Sequence, residues 1–83
     1  MNEICPGIYV GDHGNAENKS LLESCGITHV LSLEVEDFEI DTKFHHKFVM
    51  MYDVLQQDLL GHLEECFKFI EEGFAEGKVL IHW

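Results

Sequence analysis

Eighty-three residues suffice for one small domain or part of a larger one, and a chain that is 46% hydrophobic and 25% charged with a single proline has globular composition. The formal net charge is −11, and all five basic residues are lysines scattered along the chain, which excludes nucleic-acid binding through clustered cations. There is no arginine, so the side chain best shaped to hold a phosphate bidentately is missing.

In chain order, Pro6-Gly7 marks a turn, and Ile8-Tyr9-Val10 reads as a short strand ending at Gly11-Asp12. Asn15 is placed to cap a helix over 17–25, with Leu21, Leu22 and Cys25 on one face and Gly26 at its left-handed end. Residues 28–33 (THVLSL) are β-branched and apolar, as in a buried strand. Acidic residues then crowd positions 34–41, which marks a solvated connection. Residues 47–52 (KFVMMY) form the next strand, expected to be covered on both faces, and Asp53 ends it. Asp58 is the expected N-cap of a helix whose stripe is Leu59, Leu60, Leu63, Phe67, Ile70 and Phe74, fraying between Gly73 and Gly77. Residues 78–83 (KVLIHW) close the chain as a strand.

Strands alternating with helices predict an α/β sandwich with a mostly parallel sheet. In such sheets the functional site forms beyond the carboxyl ends of the strands. No stretch approaches about 18 consecutive apolar residues, so no membrane span is expected, and the polar, acidic N-terminus does not read as a signal peptide. Three widely spaced cysteines, Cys5, Cys25 and Cys66, argue for a reducing compartment, cytoplasm or nucleus.

Three stretches, in order, resemble the cysteine-dependent dual-specificity protein phosphatases: residues 6–11 (PGIYVG), residues 21–31 (LLESCGITHVL), and the run from Phe48 through Tyr52-Asp53 and Asp58-Leu59-Leu60 to residues 78–82 (KVLIH). The resemblance spans nearly the whole chain. It implies a partial protein-tyrosine-phosphatase-like sandwich over 1–83, lacking the C-terminal helices of the family. It also implies a parent activity: hydrolysis of phosphotyrosine and phosphoserine or phosphothreonine in phosphoprotein substrates. The family signature continues past the histidine as His-Cys-x-x-Gly-x-x-Arg, a loop that cradles phosphate with backbone N–H groups and arginine. Its cysteine attacks as the thiolate. Here His82 is followed by Trp83, which occupies the nucleophile position, so neither the cysteine nor the arginine is present and inactivity is expected. The alternative is a non-catalytic interaction protein that binds a partner through the retained surface.

By the same resemblance Asp53, thirty positions before Trp83, is the general acid of the parent reaction. The loop after it lacks the proline often found there. His82 matches the histidine that supports the phosphate loop, whereas Asp58 is read as a helix cap. No substrate-binding residue is assigned. No cofactor or metal is expected, because His13, His29, His62 and His82 lie in separate elements and the adjacent His45 and His46 point to opposite faces of a strand. Sheet surface left uncovered by missing helices is expected to drive self-association.

Overall fold

The computed structural model describes residues 1–34, 40, 43–50 and 56–82. Eight elements follow one another: β1 (Asn2–Cys5), β2 (Ile8–Gly11), α1 (His13–Glu17), α2 (Lys19–Cys25), β3 (Ile27–Glu34), β4 (His45–Met50), α3 (Gln56–Glu76) and β5 (Lys78–His82). They form a five-stranded sheet in the order β1-β2-β5-β3-β4. β2, β5, β3 and β4 run parallel, and β1 alone is antiparallel, paired to β2 as a hairpin. The α/β architecture with a mostly parallel sheet is therefore present. β1 was not foreseen: it is four residues long, exposed along its whole length, and held by the turn in which Gly7 adopts φ 90°.

Local chemistry explains where the first helices start and stop. Asp12 accepts from Asn15 N–H while Asn15 Oδ1 accepts from Asp12 N–H, both at 2.9 Å, a reciprocal capping box. Asn18 ends α1 and caps α2, accepting from Leu21 N–H at 3.1 Å. The single helix expected behind Asn15 is thus two, because Asn18 offers a second cap. α2 stops at Gly26, whose left-handed φ of 76° lets its N–H reach the carbonyls of Leu22 and Glu23.

β5 is the central strand, and its Val79, Leu80 and His82 are buried. On one face α1 and α2 close a core of Ala16, Leu22, Ile27, Val30, Phe44 and Leu80. On the other, α3 lays Cys66, Phe69 and Ile70 over Leu31, Leu33, Val49 and Ile81. Each fully buried Leu or Val contributes about 1.5–3 kcal/mol by leaving water.

β4 is the outer strand of the described sheet, with Val49 buried and Phe48 half-buried. Three expectations need correction. Asp58 falls inside the first turn of α3, which begins at Gln56, and so does not cap it. The face of α3 that meets the sheet runs through Cys66, Phe69, Ile70 and Gly73. Phe67 and Phe74, expected in the core, are 59% and 57% exposed. Nor does the helix fray at Gly73: it continues to Glu76, with Gly77 N–H bonded back to Gly73 C=O at 2.8 Å.

Candidate functional site

The parallel strands deliver their carboxyl ends to one edge of the molecule, where Gly11, Ser32 and His82 are register neighbours on β2, β3 and β5. His82 is fully buried on the α1/α2 side of the sheet. Ser32 Oγ lies 2.5 Å from His82 Nε2 and 2.7 Å from His46 Nε2. One hydroxyl proton cannot serve two imidazoles. At most one ring accepts from the hydroxyl, so at least one of the two donates its N–H to the oxygen. His13, in the first turn after β2, closes the group with its ring edge-on to His82 at 6.1 Å and its Nε2 2.7 Å from Glu17.

A serine between two imidazoles invites a reading as a nucleophile and its base. The burial of Ser32 argues against it: the side chain is sealed in mid-strand at zero exposure, so no substrate oxygen or phosphorus can approach it. The arrangement instead orients His82 at the point where the chain leaves the sheet. Cys66 is buried beneath α3, and burial, reinforced by the Glu65 carboxylate, pushes its thiol up, away from the reactive thiolate. Cys5 is exposed on β1 and Cys25 half-buried at the end of α2, neither of them in a strand-to-helix phosphate loop.

Asp53 and Trp83, expected to be the general acid and the occupant of the nucleophile position, both lie outside the described residues. Of the residues singled out from the sequence, His82 is the one the structure sets at the expected place. Ser32 and His46 were missed, since only strand register brings them to His82. A second group was missed for the same reason. His29 and His45 are paired across β3 and β4, and Glu76 Oε2 reaches to 3.3 Å from His29 Nε2. His45 and His46 do point to opposite faces, but His45 shares its face with His29. Burial, with the neighbouring His45, holds the His29 imidazole below the ordinary histidine range against the opposing pull of Glu76 and Glu72.

A largely parallel sheet with helices on both faces and a buried histidine at the carboxyl end of its central strand makes up an α/β sandwich. Among solved structures, DUSP15 matches it with a TM-score of 0.86 at 24% identity, over 99% of this chain and 53% of its own. Human DUSP28 follows with a TM-score of 0.81 at 22% identity, over 94% and 56%. No family model matches the chain. In sequence it is 34% identical over 86 residues to dual specificity protein phosphatase 1B of Arabidopsis thaliana, covering 99% of this chain and 50% of the relative. It is 34% identical over 88 residues to human dual specificity protein phosphatase 12, covering 99% of this chain and 26% of the relative. Over nearly its whole length the chain is thus similar in sequence to part of the dual-specificity protein phosphatases, and it shares the fold of two solved proteins. It spans half or less of the length of these relatives.

Proposed function

We propose that residues 1–83 form the first part of a dual-specificity phosphatase domain and that these 83 residues alone do not hydrolyse phosphoesters. The parent reaction would remove phosphate from phosphotyrosine and phosphoserine or phosphothreonine of phosphoprotein substrates through a cysteinyl-phosphate intermediate. The carrying observation is His82: it is anchored by Ser32 where the family signature begins, and an indole follows it in place of a thiol. Without a thiolate no phosphorus–sulfur bond forms, and without arginine the charge on the transferring phosphoryl group is not neutralised.

In a completed domain Asp53 would protonate the leaving oxygen and later draw the proton from the hydrolytic water. Its replacement by Asn in such a domain is expected to lower kcat about 10²–10⁴-fold and to remove the limb of the pH–rate profile that reports the acid.

The test has two arms. The 83-residue protein under reducing conditions is expected to leave an aryl phosphate intact, and Trp83→Cys alone is not expected to restore turnover, because the cradle and arginine are still missing. A chimera joining residues 1–82 to the remaining part of the domain of human dual specificity protein phosphatase 12 is expected to hydrolyse it, with loss on thiol alkylation. Thiol-dependent turnover by the unmodified protein, or a folded but inert chimera, would count against the proposal.

A second reading, that the chain acts by binding, is favoured by one observation. Between α3 and the sheet runs a groove of about 190 Å³ lined mainly by apolar side chains, Leu31, Leu33, Leu63, Cys66, Phe67 and Ile70 among them, with His62 beside them. Apolar surface of this kind pairs with another chain, a second copy included.

A further inference from the structure

His29, His45 and Glu76 lie toward the amino ends of β3 and β4, away from His82, and take no part in the phosphatase reading. The imidazoles of His29 and His45 stack with centroids 4.5 Å apart and planes 28° from parallel. One ligating atom from each of the three residues lies within 4.8 Å of the other two. α3 can bring Glu76 this close because Gly73 has no side chain: a Cβ there would stand 2.9 Å from the His29 ring.

Thr28 Oγ1 lies 2.7 Å from His29 Nδ1, and His29 Nε2 lies 3.3 Å from Glu76 Oε2. In the tautomer whose Nδ1–H donates to Thr28, the Nε2 lone pair faces the Glu76 carboxylate, and a cation between them satisfies both. The Thr28 contact is also the kind of outer hydrogen bond that orients a ligating imidazole. His29 is buried, whereas His45 and Glu76 are exposed, so one ligand is fixed, two are free to close, and solvent has a path in.

We infer that His29, His45 and Glu76 bind one divalent transition-metal ion of the zinc type, clasping the end of α3 to the first residues of β3 and β4. Two imidazole nitrogens and one carboxylate suit zinc better than magnesium or calcium, which take oxygen ligands. With metal–ligand distances of about 2.0–2.2 Å, tetrahedral ligands sit about 3.4 Å apart. Glu76 already stands 3.3 Å from His29, so only a small adjustment of exposed side chains is needed. The fourth position goes to water.

The inference is tested by titrating the protein with Zn²⁺ against a chromophoric chelator, using Co²⁺ as the spectroscopic substitute. One ion per chain, visible cobalt absorption without a sulfur charge-transfer band, and a melting temperature that rises with added Zn²⁺ are expected. His45→Ala and Glu76→Gln should each weaken binding about tenfold or more. Both sites are exposed, so far-ultraviolet dichroism should stay unchanged in the variants. His62→Ala, about four turns from Glu76 along α3, should bind like the parent. Indistinguishable zinc affinities in the parent, His45→Ala and Glu76→Gln, a cysteine-to-cobalt band, or no binding at all would overturn the inference.

Discussion

Gly73 governs how closely α3 can approach the sheet. A Cβ added there would collide with Val79 Cγ2 and stand 2.9 Å from the His29 ring, both in the packed interior, so Gly73→Ala must push the helix outward. A loss of about 1–3 kcal/mol is expected from such overpacking, measured by denaturant unfolding. Gly61, in the same helix, has nothing within 4 Å of its missing Cβ, and Gly61→Ala should gain about 0.5–1 kcal/mol. Opposite signs for one substitution within one helix would verify the packing directly. His29 gives a pH dependence. Its folded-state pKa lies below the unfolded value, so the unfolded chain takes up the proton first. The stability that depends on neutral His29 is whole above about pH 6.5 and is lost as pH falls from there toward the folded-state pKa. Melting temperatures measured with chelator present should therefore drop as pH is lowered below about 6.5, and His29→Gln should flatten that slope.

At the level of elements, the caps hold the short helices in place. α1 and α2 have five and seven residues, too few to persist without their ends satisfied. Asp12→Ala and Asn18→Ala should each cost about 1 kcal/mol, read from equilibrium unfolding. Much of this element order was legible in the residues: β-branched runs became β2, β3 and β5, and Gly26 stopped a helix where its freedom at positive φ is needed. Other features were not. β1 carries no apolar alternation and exists because the hairpin turn presents it to β2. The buried face of α3 was misassigned because Phe67 and Phe74 are as hydrophobic as Cys66 and Phe69, and only the close approach at Gly73 decides which set faces the sheet. The candidate site divides similarly. His82 was legible from the residues around it, while Ser32, His46 and the pair His29–His45 depend on register between strands distant in sequence.

For the whole molecule, Leu63, Phe67 and the groove beside α3 leave apolar surface open to water. Self-association through this surface is expected, and Phe67→Glu, at a position already 59% exposed, should shift the size-exclusion profile toward monomer without lowering stability. The strand order has a further consequence, for the time course of folding. β5 comes after every other described element yet lies between β2 and β3, which have no pairing with each other. A chain emerging from the ribosome can form the β1–β2 hairpin early, but β2 stays cut off from β3 until residues near 80 arrive to bridge them. Nascent chains halted before Lys78 should accordingly be cut readily by protease, and protection should appear in one step once β5 has cleared the exit tunnel.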